Sequence, residues 1–270
     1  MAARRKGSVL GVFDSGLGGL SVWREIVKLL PADPTLYLSD NAWCPYGPRP
    51  AKEIIERTKK ISRFLIDQGC RVVVVACNTA SAAAIDDLRK TFTVPFVGME
   101  PAVKPAALHS RTGVVGVLAT QGTFGGRLYK ETSRRFASKV HVLEQVGEEL
   151  VELVEQGLTD TPQTIDLLHK YIDPMMEAGA DHLVLGCTHY PFLIPAIEKI
   201  TLGRMIIVDP APAVAIQVQK MVDTAQAVPV VPNPFHTFYA TGSIRALQAR
   251  CQLSCPDVVS MAFHAHFELP

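Results

Sequence analysis

The chain has 270 residues, which is enough for one large or two medium-sized domains with a full apolar core. Its formal net charge is +1, from 27 basic and 26 acidic residues, so it lacks the basic excess of a protein built to bind nucleic acid or a membrane surface. The apolar stretch 7–13 is too short for a signal or membrane-spanning segment, which favours a cytoplasmic protein.

The cysteines fall at positions 44, 70, 77, 187, 251 and 255 and form no CxxC pair. This spacing predicts neither a zinc ribbon nor a thioredoxin-type site. We therefore expect no metal, and free thiols in a reducing compartment.

A first strand is predicted over 9–13, and it ends at Asp14, Ser15 and a glycine-rich turn before a helix over 22–30. The turn matches neither the dinucleotide fingerprint nor a Walker loop, and the Asp14 carboxylate would repel a phosphate. We expect the turn to bind a cationic or amino group; the alternative is that Asp14 only caps the helix.

A second strand, 35–39, is predicted to lead into a loop over 40–50 that contains three prolines, Trp43 and Tyr46. Stiff aromatic loops at a sheet end often contact ligands, although a rigid connector would have the same composition. A helix over 52–68 should follow.

The apolar run 72–76 predicts a buried parallel strand that ends at Cys77, followed by the cap-forming residues Asn78 and Thr79 and a helix over 82–90. Open α/β folds bind ligands at such strand ends. A helix amino end also lowers the pKa of a neighbouring thiol, so we expect a lowered pKa at Cys77.

The same pattern recurs in the second half, where a strand over 182–185 leads to Gly186, Cys187, Thr188 as a candidate cap, and His189. Two strand–cysteine–helix units suggest two half-molecules that each present one thiol. The alternative is two ordinary buried cysteines, but the polar neighbours of both argue against it.

The remaining pattern extends the alternation of strands and helices, which predicts right-handed, doubly wound parallel sheets. We expect two similar α/β domains with the active site between them: 1–98 with 210–270, carrying Asp14 and Cys77, and 99–209, carrying Cys187. The other predicted elements are strands 94–97, 113–118, 140–143, 205–208 and 235–240, helices 124–136, 148–156, 162–178, 192–200, 213–225 and 244–250, and a proline-rich connector over 228–234.

Two thiols that face one cleft suit a reaction that removes a proton from one face of a carbon and returns one to the other face. The pKa of free cysteine, about 8.5, lets either thiol act as acid or base. Asp14 and His189 are the titratable residues in the same turns and are expected to assist.

Four motifs occur in order: Phe13-Asp14-Ser15-Gly16-Leu17-Gly18-Gly19, Pro45-Tyr46-Gly47, Ala76-Cys77-Asn78-Thr79-Ala80 and Gly186-Cys187-Thr188-His189-Tyr190-Pro191. With them the chain resembles the glutamate racemases of the aspartate/glutamate racemase superfamily. The resemblance implies a cofactor-independent interconversion of L- and D-glutamate, which supplies D-glutamate for peptidoglycan. It also implies a homodimer, since dimers are common in the family.

Carried over by position, the resemblance implies that Cys77 and Cys187 act on opposite faces of the substrate, with Asp14 assisting Cys77 and His189 assisting Cys187. The motifs hold no Arg or Lys, so hydroxyl, amide and backbone N–H groups would bind the carboxylates. The implied substrate ligands are Asp14, Ser15, Tyr46, Gly47, Asn78, Thr79, Thr120, Thr188 and His189.

Several alternatives stay open. The substrate could be aspartate or another amino acid, and a non-catalytic role as a protein-binding inhibitor is a second class of function. A one-thiol decarboxylase is disfavoured by the two cysteines, and a redox protein by their spacing. Trp43 and Cys44 depart from the usual family pattern, and Cys44 adds a third thiol that could form a disulfide with Cys77 or Cys187 on oxidation.

Overall fold

The computed structural model describes residues 9–136, 138–224, 234–254, 258 and 260–269. Ten strands in these ranges form two sheets, and every strand pair is parallel. The strands are β1 (Val9–Asp14), β2 (Thr35–Ser39), β3 (Cys70–Val75), β4 (Phe96–Gly98), β5 (Val114–Ala119), β6 (His141–Val146), β7 (His182–Gly186), β8 (Ile206–Val208), β9 (His236–Ala240) and β10 (Met261–His264).

Helices connect the strands, as parallel neighbours require. The α-helices are α1 (Leu20–Leu29), α2 (Ala51–Asp67), α3 (Asn78–Thr91), α4 (Val103–His109), α5 (Gln121–Phe124), α6 (Arg127–Phe136), α7 (Leu150–Glu155), α8 (Pro162–Glu177), α9 (Ile194–Thr201), α10 (Ala211–Thr224) and α11 (Arg245–Ser254). A short 3₁₀ helix, Tyr190–Leu193, precedes α9.

The first sheet has the order β10-β9-β2-β1-β3-β4 and the second the order β6-β5-β7-β8. The predicted fold class, two parallel α/β domains, is therefore confirmed. Strands β9 and β10 return to the first sheet late in the chain, while the exact residue boundaries of the domains stay a prediction. Of the predicted connector 228–234, all but Pro234 lies outside the described residues.

The centre of the first sheet is wholly buried, because β1 pairs with both β2 and β3 and all six of its residues are inaccessible to solvent. One apolar cluster continues from this domain into the other: it includes Leu17 and Trp23 of the first and Leu118 and Leu150 of the second. Because the two domains share this buried cluster, the packing of its side chains fixes their relative position. No helix in the described ranges has both the length and the apolar character that a membrane-spanning segment needs.

Candidate active site

The site forms where the carboxyl ends of three strands meet between the two sheets. Asp14 is the last residue of β1, Cys77 follows the neighbouring strand β3, and Cys187 directly follows β7 of the second sheet. The parallel strands of a sheet all have their carboxyl ends at the same edge. Each sheet therefore contributes one thiol at the place where the two edges face each other.

Cys77 is itself the N-cap of α3, and its Sγ accepts a hydrogen bond from the backbone N–H of Ala80 at 3.4 Å. The predicted helix start at residue 82 is therefore wrong, because the helix begins at Asn78. The Cys77 thiol also donates to Ser15 Oγ at 3.7 Å and is only 4% exposed.

The predicted lowering of the Cys77 pKa is also wrong. Burial raises the pKa of this thiol well above its usual value, and the negative charge of Asp14 raises it further. Hydrogen bonds with the Ala80 N–H and the Ser15 hydroxyl lower the Cys77 pKa but do not compensate for the rise. The cost of desolvating the thiolate thus outweighs the stabilisation that the amino end of α3 gives to its negative charge.

Asp14 is fully buried beside both cysteine turns. Its Oδ2 accepts from the Gly19 N–H at 2.7 Å, and its Oδ1 accepts from the hydroxyls of Ser15 and Thr188, both at 3.5 Å. Burial raises the Asp14 pKa, while the charge of His189 and the Gly19 N–H act against that rise. Asp14 therefore bridges the turns of the two domains.

His189 lies between Cys187 and a carboxylate. Its Nδ1 is 3.8 Å from Cys187 Sγ, and its Nε2 is 2.7 Å from Oε1 of Glu155. Burial lowers the His189 pKa, but hydrogen bonds with Cys187, Cys44 and Glu155 outweigh it, so the net pKa is well above the usual value. The expected capping role of Thr188 is not observed: His189 is the N-cap of the 3₁₀ helix.

Glu155 is a site residue that the sequence did not reveal. It ends α7, and besides His189 its Oε1 accepts from the Leu17 N–H of the first domain at 2.7 Å. Burial raises the Glu155 pKa, but the hydrogen bond and charge of His189 outweigh burial and lower it below its usual value. Each group of the pair thus favours the charged form of the other. No local pattern separates Glu155 from Glu152, the other acidic residue of its helix.

Gly47, Thr79 and Thr120 come together from three different segments. The hydroxyls of Thr79 and Thr120 are 2.8 Å apart across the two domains. A Cβ built on Gly47 would lie 3.3 Å from the Thr120 Cβ, and one on Gly122 would lie 2.6 Å from Thr79 Cγ2. These close approaches place three of the predicted ligand residues at one point of the domain junction.

Tyr46 is buried, and its hydroxyl donates to Asp40, a second residue that the sequence did not single out. Arg57 holds the same carboxylate with two hydrogen bonds of 2.8 and 2.7 Å. The guanidinium groups of Arg49 and Arg57 also contact the Trp43 ring, 4.6 and 4.7 Å from its centroid. This network fixes the loop that carries Gly47.

Asn78 is buried at the start of α3, and neither its amide nitrogen nor its amide oxygen has a hydrogen-bond partner among the described residues. Buried polar groups normally find partners, and a buried amide without them next to the Cys77 thiol is typical of a ligand-binding position.

The two thiols belong to one connected site. Polar contacts run from Cys77 through Ser15 and Asp14 to Thr188, the neighbour of Cys187. The Cys187 charge is also among the causes that raise the Cys77 pKa, so the two groups lie within electrostatic reach. Two parallel α/β domains, each with a buried cysteine at a strand end of one shared polar site, define a class of two-domain α/β proteins with the site at the domain junction.

The chain belongs to the Asp/Glu/Hydantoin racemase family, whose sequence profile matches residues 10–218. It is thus a racemase, an enzyme of the isomerase class, and the family resemblance inferred from the four motifs is confirmed.

Known relatives and solved structures agree with this assignment. The glutamate racemase of Roseiflexus sp. (strain RS-1) is 51% identical over 214 residues, which cover 79% of both chains. That of Ectopseudomonas mendocina (strain ymp) is 44% identical over 241 residues, covering 89% of this chain and 92% of the relative. The crystal structure of Escherichia coli glutamate racemase with L-glutamate and the activator UDP-MurNAc-Ala matches with a TM-score of 0.85 at 31% identity, over 96% of this chain and 98% of that one.

Proposed function

We propose that this chain interconverts L- and D-glutamate without a cofactor, with Cys77 and Cys187 as acid and base, and so supplies D-glutamate for peptidoglycan. We further propose that it works in the cytoplasm as a homodimer. Glutamate as the substrate is favoured by relatives of 43–51% identity that are glutamate racemases and by the Escherichia coli structure with bound L-glutamate.

The observation that carries the proposal is the pair of buried thiols at equivalent strand ends of two sheets, joined through Ser15, Asp14 and Thr188. Inversion of a stereocentre needs a base on one face and an acid on the other. A site assembled from two domains supplies one group to each face.

In the proposed reaction one cysteine thiolate removes the α-proton, and the thiol of the other cysteine delivers its proton to the opposite face of the carbanion. The substrate bond that breaks is Cα–H, and a new Cα–H bond forms on the other side. The proton count balances because one sulfur gains the proton that the other has lost. The roles are reversed for the opposite enantiomer.

Each thiolate has its own stabilising groups. On one side the Ala80 N–H and the Ser15 hydroxyl contact Cys77. Ser15 also links this thiol to Asp14, which would accept the proton of the Cys77 thiol. On the other side the His189 imidazolium, held by Glu155, would stabilise negative charge on Cys187.

The four motifs offer no Arg or Lys side chain to hold the substrate carboxylates. Within the described part of the chain the Asn78 amide has no hydrogen-bond partner, so it could bind a carboxylate or the ammonium group. The hydroxyls of Thr79 and Thr120 meet at the domain junction, and the amino end of α3 adds backbone N–H donors. Asp14 would accept from the ammonium group.

The decisive experiment is incubation with L-glutamate in deuterated water without any added cofactor. We expect inversion, with one deuterium gained at Cα of the D-glutamate formed, measured by circular dichroism and proton NMR. The Cys77→Ser, Cys187→Ser double variant is the control and should give neither. Absence of inversion, or inversion only after pyridoxal phosphate is added, would refute the proposal; faster turnover of L-aspartate would refute the substrate assignment.

A further inference from the structure

Cys44 stands beside the His189–Glu155 pair and has no part in the proposed acid–base chemistry. A sulfur of Cys44, a carboxylate oxygen of Glu155 and a ring nitrogen of His189 all lie within 4.8 Å of one another. His189 is buried, while Cys44 and Glu155 are partly accessible. The three side chains come from the loop before α2, from α7 and from the turn after β7.

We propose that these three side chains form a binding site for one Zn²⁺ ion and that occupation of this site inhibits the enzyme. Thiolate, imidazole and carboxylate are the ligand types that zinc prefers. In a tetrahedral site with bonds of about 2.0–2.3 Å, ligand atoms stand roughly 3.3–3.7 Å apart. Donors already within 4.8 Å need only small side-chain rotations to reach that spacing.

The charges of the cluster match this ion. A Cys44 thiolate and a Glu155 carboxylate together carry two negative charges, and neutral His189 adds none. Bound Zn²⁺ therefore gives a neutral complex, which suits a half-buried position. Binding releases the thiol proton of Cys44 and one ring proton of His189 to the solvent, since both ligands must be deprotonated.

Inhibition follows from the competing use of His189 and Glu155, and this step rests on the proposed function. Without metal, Oε1 of Glu155 accepts from the His189 ring at 2.7 Å, and the other ring nitrogen is 3.8 Å from Cys187 Sγ. A metal ion that takes Glu155 and one ring nitrogen breaks the hydrogen bond that holds the ring against Cys187. Zinc held by Cys44, which is not one of the two proposed acid–base residues, would thus inhibit the Cys187 side of the site.

Binding is tested directly with Co²⁺, which reports its ligands spectroscopically. Titration of the full chain should give a one-to-one complex with thiolate-to-cobalt charge-transfer absorption, which Zn²⁺ displaces. Cys44→Ala and Cys44→Ser should both lose this absorption, with melting temperatures checked for each. The control is His169→Ala, which removes an exposed imidazole 3.0 Å from Asp173, a competing surface position for metal.

The functional arm compares zinc inhibition of each variant with its own zinc-free rate. We expect reversible inhibition of the wild type, relieved by a chelator, and at least about a tenfold higher inhibitory zinc concentration for Cys44→Ala. Unchanged cobalt absorption or unchanged zinc sensitivity in Cys44→Ala would overturn the proposal, since the metal would then occupy other thiols. The cobalt arm decides the site even for a chain that fails to racemise glutamate, so the two proposals fail separately.

Discussion

Cys77 and Cys187 occupy equivalent places at the strand ends of two sheets, yet their surroundings differ. Cys77 caps a regular α-helix and receives the Ala80 N–H, with the Ser15 hydroxyl as its side-chain partner. Cys187 precedes a 3₁₀ helix and faces the His189 ring, which Glu155 holds from behind. The two half-sites of the proposed reaction are thus built from different interactions, a helix end on one side and a histidine–carboxylate pair on the other.

The difference implies that each side responds to its own perturbation. Burial is the largest cause of the raised Cys77 pKa. Its thiolate is stabilised by two uncharged groups, the Ala80 N–H of α3 and the Ser15 hydroxyl. On the other side, hydrogen bonds with Cys187, Cys44 and Glu155 keep the His189 pKa high despite burial. Removal of the Glu155 charge should therefore affect the Cys187 side more than the Cys77 side.

The largest effects are expected from the thiols themselves. Cys77→Ser and Cys187→Ser should each reduce racemisation by about 10³-fold or more, because the hydroxyl is a poor base and acid at neutral pH. Each variant should still exchange the α-proton of one enantiomer with deuterated solvent, and the two variants should exchange opposite enantiomers. Exchange of the same enantiomer by both, measured by NMR, would contradict the assignment of one thiol to each face.

Glu155→Gln tests the ion pair and should lower kcat/KM by about 10²-fold. The carboxylate helps to keep the His189 pKa raised, so its loss lowers that pKa. Activity that needs the imidazolium is lost as pH rises through the His189 pKa, and the alkaline limb of the pH–rate profile should therefore move to lower pH. Glu152→Gln, an exposed position on the same helix, is the matched control. An unshifted alkaline limb in Glu155→Gln would show that the reaction does not depend on the protonation of His189.

Gly18→Ala tests how closely the first domain approaches the imidazole. A Cβ at Gly18 would lie 2.3 Å from His189 Nδ1, the atom that faces Cys187. The ring is fixed by Glu155 on its far side, so relief requires backbone movement, at a cost of about 2 kcal/mol in the free energy of unfolding. Urea denaturation measures this cost. Gly203→Ala, at a position with open space but a left-handed backbone (φ +74°), separates conformational strain from contact. Wild-type stability and activity in Gly18→Ala would show that the contact is loose.

The sequence predicted those parts of the site that local patterns encode. Apolar runs that stop at polar residues identify the strand ends, and with them Asp14, Cys77 and Cys187. Glu155 escaped notice because its role comes from contacts with Leu17 and His189, which are distant in sequence and leave no mark on an ordinary helical pattern.

The direction of the Cys77 pKa shift could not be predicted for a similar reason. A helix start is visible in sequence, but the degree of burial depends on how two domains close over the site. The Asp40–Arg57 pair that holds the Tyr46 loop is likewise a tertiary contact between a loop and α2. The short helix α4 was missed because Pro105, which lies within it, disfavours a helix in the sequence pattern.

The smallest expected effect concerns the junction between the domains on the Cys187 side. The Ser21 hydroxyl of α1 donates to the Thr188 carbonyl at 3.1 Å, and both residues are buried. Ser21→Ala leaves that carbonyl without this donor and should lower the free energy of unfolding by about 1 kcal/mol. Thr91→Ala removes a comparable hydroxyl-to-carbonyl bond, to Asp87, at an exposed helix end and should change stability by less than about 0.5 kcal/mol. Because Thr188 adjoins Cys187, deuterium exchange that depends on Cys187 should slow more than exchange that depends on Cys77. Equal slowing of both would mean that the bond stabilises the closed domains as a whole and does not position the Cys187 turn.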